Sequence, residues 1–432
     1  MADDEKTPTE QIREYISLYL ASYNRNYDGD EFELKFGTKH YNQITKIDFD
    51  NIIQKLKSLN FNCVNSSGDY TLNIINEYSD PITGKMKDSN IRTTISGISN
   101  IQKYCRENII REDKLQNIKF LQKFRKKPSI DGPTLRPIDY HDFQFRVNYK
   151  SERDLTPSSS SSDIKQEILQ LIDNWRDSKK IFRFIKRYTF IHEDTTTYPF
   201  KFDISIIKTN KQRTLHNGRK IYIKEYSIND ANVFNEPENY EIEMELLNKF
   251  AKIHDNDVTI LHKKIKYGIK CILSGWQQTN FPISFKQQQQ VLNEYMMLIH
   301  GKNNLPRNRE GKQRRPHSGD FLGPASISLE MRNIMPIDID SSAPNINKPY
   351  TVTDKADGDR KLLFIADNGK IYLIDTNMKV QFTGNYTKHK SCCNTIIDGE
   401  HVLHDKTGNF INLFLSFDIY FKNKEIQRDF LL

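Results

Sequence analysis

Cysteine is scarce in this 432-residue chain and poorly placed for cross-linking. The five residues are Cys63, Cys105, Cys271, Cys392 and Cys393; they include no CxxC pair, and two of them are adjacent. That argues against a disulfide framework and a thiolate zinc site, and it fits a reducing compartment. Glycine (18) and proline (15) are too few for a collagen-like or low-complexity protein. No apolar run approaches the ~20 residues of a membrane helix. The start, Met1-Ala-Asp-Asp-Glu-Lys6, is acidic and polar, unlike a secretory signal. The expectation is a soluble, cytoplasmic protein that is neither exported nor held in a membrane. What is present is core-forming material: 25 Phe, 21 Tyr and 37% hydrophobic residues, enough for the two or three domains this length suggests.

Charge is mildly basic, with 64 Lys+Arg against 56 Asp+Glu, a net charge of +8. It is unevenly spread. Arg307–Arg315 (RNREGKQRR) sets five cations against one acid. Such a run often meets phosphates, although on charge alone it reads as a solvated linker.

Helical spacing is expected over residues 1 to about 25, over Asp48–Leu59 (Ile52, Ile53, Leu56, Leu59) and over Ile164–Trp175. Short alternating segments dominate from Glu31 to about Leu246. The five serines Ser158–Ser162 read as a loop. Residues from Asn248 to about His300 look helical again, with interruptions at Gly275 and Pro282. The glutamine run Gln287–Gln290 lies inside that region and has no assigned role. Gly301–Asp320 reads as the best domain boundary, and a second β-rich region follows it.

Alternation gives the first functional signal. In Glu31-Phe-Glu-Leu-Lys-Phe36 a strand turns Glu31, Glu33 and Lys35 to one face and Phe32, Leu34 and Phe36 to the other. In Tyr240–Leu246, Glu241, Glu243 and Glu245 share a face opposite Ile242, Met244 and Leu246. Three like charges at ~7 Å spacing repel unless a cation lies among them. A divalent ion with hard oxygen ligands, Mg²⁺ or Mn²⁺, is an economical answer. Intervening strands repeat the pattern with mainly positive charge: Arg92 and Thr94; Arg146, Asn148 and Lys150; Arg183, Arg187 and Thr189; Lys201, Asp203 and Ser205. An antiparallel sheet with its polar face in water accounts for any one of these strands. Six strands in agreement suit a closed barrel whose lumen holds a metal polyphosphate.

The pair ExExK and ExExE, with an intervening RYTF…KFDIS segment, resembles the triphosphate tunnel metalloenzymes, most closely the RNA triphosphatase of capping enzymes from large DNA viruses. The resemblance covers about residues 25–250. It implies an eight-stranded antiparallel tunnel with flanking helices, and a metal at Glu31, Glu33, Glu241, Glu243 and Glu245. Glu31, Glu33, Glu243 and Glu245 would be catalytic. The triphosphate would lie among Lys35, Arg92, Arg146, Lys150, Arg187, Lys201 and Asp203. Lys201 stands where relatives often have Arg, which keeps the charge.

A second constellation begins at Lys355. KxDGxR (Lys355, Asp357, Gly358, Arg360) precedes an apolar strand; Thr395-Ile-Ile-Asp-Gly-Glu400 follows, then Leu413-Phe-Leu-Ser-Phe-Asp-Ile419. A lone KxDG is ordinary hairpin chemistry. The ordered set resembles the covalent nucleotidyltransferases, capping guanylyltransferases and polynucleotide ligases, whose chemistry needs a lysine amine to attack an α-phosphate. The resemblance implies a lysyl adduct at Lys355 and a GTP pocket of Lys355, Asp357, Gly358, Arg360, Glu400, Phe417 and Asp418. Phe321–Glu330 (FLGPASISLE) is similar to a segment preceding this motif in viral capping enzymes. The later motifs of the family do not appear, so the chain reads as the front of a longer polypeptide.

Together these readings give an α+β protein: a tunnel domain at residues 1–255, a helical and basic linker at 256–320, and the first part of a nucleotidyltransferase domain at 321–432. The resemblance implies an mRNA-capping enzyme acting on 5′-triphosphate RNA and GTP, with a cap methyltransferase as a further partner. A ligase-like nucleotidyltransferase and a non-catalytic binder of RNA 5′ ends are the alternatives.

Overall fold

Eight of the alternating segments become strands that close on themselves. They are β1 (Asp30–Phe36), β2 (Asp69–Ser79), β3 (Met86–Ser96), β4 (Ile118–Arg125), β5 (Phe145–Asp154), β6 (Lys180–His192), β7 (Phe200–Thr209) and β8 (Asn239–Leu246). Their order is β1-β8-β7-β6-β2-β3-β4-β5, and β5 returns to β1, so every neighbour is antiparallel and the ring has no free edge. Closure is visible at Glu33, which faces Glu245 on one side and Asn148 on the other. The computed structural model describes residues 7–21, 29–37, 43–80, 82–111, 117–127, 134–156, 166–216, 218, 220–249, 257–324, 328–337, 344–348 and 356–427. The serine run lies outside them.

The apolar faces point outward into helices, as a barrel with a charged interior requires. Phe32, Leu34, Phe200, Phe202, Ile204, Ile242 and Met244 are wholly buried. Three helices contribute to their cover: α1 (Pro8–Ala21), α2 (Lys46–Ser58) and, further along the chain, Val258–Trp276. The α1 face Ile12, Tyr15, Ile16, Tyr19 is buried, and the Tyr19 ring meets Phe32 edge-on at 5.5 Å. Helix α2 starts at a reciprocal cap, Thr45 with Asp48, which satisfies two orphan donors. A second cluster on the barrel wall gathers Leu72, Ile91, Phe120, Trp175 and Phe182 around α3 (Ile98–Glu107). Ile101, Tyr104 and Cys105 carry helical spacing there, which the alternating segments on either side obscure in the sequence. The expected Ile164–Trp175 helix is α4, described over Gln166–Asp173.

Helix Val258–Trp276 is α5. Gly275 does not interrupt it. A Cβ there would lie 2.7 Å from the Ile52 Cα, so its bareness lets α5 and α2 approach backbone to backbone. The break comes two residues later, where the Gln277 amide bonds both the N–H and the C=O of Ile283 at 2.9 Å.

The chain divides into two compact units, residues 1–276 and 277–432. The division falls inside the segment read as a linker, because α5 buries its apolar face in the first unit. Helix α6 (Phe285–His300) buries Val291, Leu292, Tyr295 and Met296 in the second. Its partner is an antiparallel sheet of β9 (Asp359–Ile365), β10 (Lys370–Asp375), β11 (Val380–Tyr386), β12 (Thr395–His404), β13 (Phe410–Lys422) and β14 (Glu425–Ile426), in the order β11-β10-β9-β12-β13-β14. Gln287–Gln290 forms the first turns of α6, capped by Ser284. Among the described residues no helix is long and apolar enough to cross a membrane.

Candidate functional site: a charged lumen and a motif-bearing sheet

Strand register places the predicted lumen residues in rows across the barrel wall. One row reads Asn148, Glu33, Glu245, Lys201; the next reads Arg146, Lys35, Glu243, Asp203, Thr189; a third reads Glu241, Ser205, Arg187, Asp69. Within rows, like charges sit side by side, Glu33 with Glu245, Arg146 with Lys35 and Glu243 with Asp203, and a cation flanks each acidic pair. The repulsion expected of Glu241, Glu243 and Glu245 is therefore met by the protein's own cations. Lys35 lies 2.5 Å from Glu243 and 3.6 Å from Glu33. Lys201 bridges Asp203 at 3.2 Å and Glu245 at 3.1 Å. Arg187 stands 3.6 Å from Asp203 and 3.9 Å from Glu243, and Lys150 reaches Glu33 at 3.1 Å.

Three of the five expected metal glutamates, Glu33, Glu243 and Glu245, share this neighbourhood. Glu241 pairs with Arg183. Glu31 turns to Lys123 at 2.6 Å, in a group with Glu152 and Arg92. Lys123 and Glu152 were missed in the sequence, although alternation with Lys150 marks Glu152 as a lumen residue. Arg146 is held by both oxygens of Asp139, at 2.7 and 2.8 Å.

Burial and pairing compete at each group. Burial would raise the Glu243 carboxyl, but Lys35 and Arg187 overcome it and hold it down at about 2. Lys35 and Lys201 are pushed up: burial opposes their charge, and the surrounding carboxylates more than offset it. Glu245 is raised by burial that Lys201 only partly offsets, and Glu31 is raised by burial and by its hydrogen bond with Glu152. These are carboxyls of unlike proton affinity on one wall.

Among the described residues no three carboxylate, imidazole or thiolate groups converge as a ready-made metal cluster. The donor chemistry nonetheless fits a hard divalent ion. Glu33, Glu243 and Glu245 present carboxylate oxygens from adjacent strands, and the Lys35 and Lys201 ammonium groups now neutralise the same oxygens.

In the second unit Lys355 lies outside the described residues. Three positions later in the chain, Gly358 packs so closely that a Cβ would sit 2.6 Å from the His401 carbonyl. Arg360, on β9, forks onto both oxygens of the fully buried Asp398 at 3.1 and 2.6 Å, and its third nitrogen donates to the Pro324 carbonyl at 2.5 Å. The Tyr420 hydroxyl donates to Asp398 at 2.5 Å, and the Phe321 ring covers the guanidinium at 5.5 Å. Gly323 leaves room for this cluster, since a Cβ would come within 2.5 Å of an Arg360 nitrogen. The FLGP segment thus has a physical role: it straps Arg360 against the sheet. Asp398, Tyr420 and Phe321 were not predicted, though Asp398 is the first acid of TIIDGE. Glu400 lies opposite Arg360 and Asp418 opposite Asp398, while Phe417 is 45% exposed.

A closed antiparallel barrel with carboxylates and cations in its lumen, followed in the chain by a sheet that carries Arg360 of KxDGxR and the DGE motif, defines a two-unit α+β protein. Residues 286–430 match the family of the mRNA capping enzyme, catalytic domain. A probable mRNA-capping enzyme of Acanthamoeba polyphaga mimivirus is 30% identical over 185 residues, which cover 43% of this chain and 13% of that protein. The chain therefore spans a small part of that relative. Two solved structures are also similar. One, described as the RNA triphosphatase domain of a trifunctional mimivirus mRNA capping enzyme, is 17% identical and covers 60% of this chain and 96% of its own, with a TM-score of 0.35. The other, a monoclinic mimivirus capping enzyme triphosphatase, is 18% identical and covers 61% and 97%, with a TM-score of 0.37. The family match and the viral relative agree with the resemblance carried by the motifs.

Proposed function

We propose that the chain carries two successive steps of mRNA 5′ capping: hydrolysis of the RNA γ-phosphate in the tunnel, then transfer of GMP from GTP through Lys355. The observation that carries the first step is the lumen itself, where Glu33, Asp203, Glu243 and Glu245 are ion-paired with Lys35, Lys150, Arg187 and Lys201 on the wall of a closed barrel. Such a surface suits a substrate that is polyanionic and accompanied by a cation.

Glu33, Glu243 and Glu245 would hold a divalent ion, which supplies charge neutralisation at the γ-phosphate when bound. Lys35, Lys150, Arg187 and Lys201 would exchange their carboxylate partners for phosphate oxygens and fix the chain of phosphates in line. A glutamate that accepts a proton from water lets the water oxygen bond to the γ-phosphorus. The bond to the β–γ bridging oxygen breaks, and orthophosphate and diphosphate-ended RNA leave.

In the second step the Lys355 amine attacks the α-phosphorus of GTP, and pyrophosphate leaves. A β-phosphate oxygen of the RNA then displaces the lysine, giving the GpppRNA end. Asp357, Gly358, Glu400, Phe417 and Asp418 would line the GTP site. Arg360, held by Asp398, would present its remaining N–H groups there. A cap methyltransferase is the reaction class that consumes this product.

The two steps separate by substitution. In a longer chain that carries the family's later motifs, Lys355→Ala should lose the acid-labile, base-stable GMP mark formed from labelled GTP and keep γ-phosphate release. There Glu33→Ala should do the reverse. The 432-residue chain itself should take up the mark weakly at most. A mark that survives Lys355→Ala, or that forms equally well from ATP, would overturn the guanylyl assignment.

A further inference from the structure

The basic run Arg307–Arg315, which charge alone left as a solvated linker, is a built hairpin. Arg307 bridges Gln313 across two short antiparallel arms, with Asn308 N–H donating to the Lys312 carbonyl at 2.8 Å and Arg314 N–H to the Pro306 carbonyl at 2.9 Å. The turn is closed by the Asn308 side chain, which accepts from the Glu310 and Lys312 amides at 3.0 and 2.9 Å, and by Gly311 at φ +77°. Two contacts fix the hairpin to its unit. Arg314 forks onto Asp320 at 2.8 and 2.7 Å, and Gln313 donates to Asn293 of α6 at 3.1 Å.

Arg314 is the cation of the run that meets a carboxylate outside it, and Arg307 also reaches the Gly311 carbonyl of the turn at 3.4 Å. Arg307, Arg309, Lys312, Arg315 and the neighbouring Lys302 are exposed. Among the described residues no carboxylate lies within ion-pair distance of Lys302, Arg307, Arg309 or Arg315, and Lys312 meets only the equally exposed Glu310. By strand alternation Arg307 and Arg315 share one face, Lys312 lies on the other, and Arg309 is at the tip. The hairpin thus presents Arg307, Arg309 and Arg315 to solvent, and among the described residues none of the three meets a carboxylate.

We propose that the hairpin is a docking surface for the phosphate backbone of RNA, which deepens and rests on the RNA-processing reading above. Three of the four unbalanced cations are arginines, whose planar fork matches phosphate oxygens better than a lysine point charge does. Backbone contacts of this kind position a strand without reading its bases.

The test uses the full chain and a fluorescent 20-nucleotide single-stranded RNA with a 5′-hydroxyl end, so that no triphosphate enters the measurement. Binding is followed by anisotropy over a salt series. Replacing Arg307, Arg309 and Arg315 together by Gln should weaken binding about tenfold or more and flatten the slope of log K against log salt by about 2, at ~0.7 per lost contact. Asp320→Asn adds a positive charge overall but unpins the hairpin, and should weaken binding severalfold. Unchanged affinity and slope in the triple variant would overturn the proposal. So would tighter binding by Asp320→Asn, the result of charge count alone. Displacement of the RNA by polyglutamate at equal charge would assign the surface to an acidic peptide instead. Release of γ-phosphate, measured in parallel, reports on the tunnel reading independently: its loss in the wild type would remove that reading and leave the RNA surface standing.

Discussion

Glu243 shows how the lumen is balanced at the level of one side chain. It is mostly buried, 2.5 Å from Lys35 and 3.9 Å from Arg187, and held at about 2 against an ordinary value of 4.5. Glu243→Ala leaves those two cations facing each other without their shared partner. The fold should lose about 1–3 kcal/mol, read as a lower midpoint in thermal or urea unfolding. An unchanged or raised midpoint would mean that repulsion among the glutamates dominates. The pH dependence has a definite sign. A carboxyl depressed in the folded state contributes stability above its ordinary value and loses it as pH falls toward 2. The stability gap between wild type and Glu243→Gln should therefore narrow from pH 4.5 downward. Asp398 makes the parallel case in the second unit, since it is wholly buried with Arg360 and Tyr420 as partners. Asp398→Ala should cost about 3 kcal/mol or more, and Tyr420→Phe about 1. Equal, small losses for both in urea unfolding would contradict a central role for Asp398.

At the scale of elements, the contact between α2 and α5 is the most sensitive to a single methyl group. Gly275→Ala places a Cβ 2.7 Å from the Ile52 Cα, where backbone rather than a flexible side chain must yield. A loss of about 1–3 kcal/mol is expected, measured by calorimetry, and full retention of stability would show that the helices separate freely. The same glycine marks the limit of what local pattern conveys. Period-two alternation exposed six barrel strands, because each has one charged and one apolar face. Helix α3 went unread because its start at Gly97 has no side-chain cap and the helix lies between strands. Gly275 resembled a breaker because its reason is a neighbour more than 200 positions earlier in the chain. In the lumen, residue types were legible and pairings were not. Nothing local says that Glu31 turns to Lys123, or that Arg146 is spent on Asp139. Those choices follow from register across strands far apart in sequence.

At the scale of the molecule, the division between residues 276 and 277 separates the charged barrel from the sheet that carries Arg360 and Asp398. A chain ending at Trp276 should be soluble and should release γ-phosphate from triphosphate RNA at the rate of the 432-residue protein, while losing any GMP mark. An aggregated or inactive fragment would show that the first unit depends on the second. The proposed tunnel chemistry rests on one idea, that phosphate oxygens replace the carboxylates now paired with Lys35, Lys150, Arg187 and Lys201. Its most direct test is on the tunnel. RNA labelled at the γ-phosphate is incubated with the protein and Mg²⁺ or Mn²⁺, and the products are separated. Labelled orthophosphate should appear, with RNA left as the 5′-diphosphate, and Glu33→Ala and Glu243→Ala should each abolish it. Label retained on the RNA by the wild type, or released at the wild-type rate by either variant, would contradict the account.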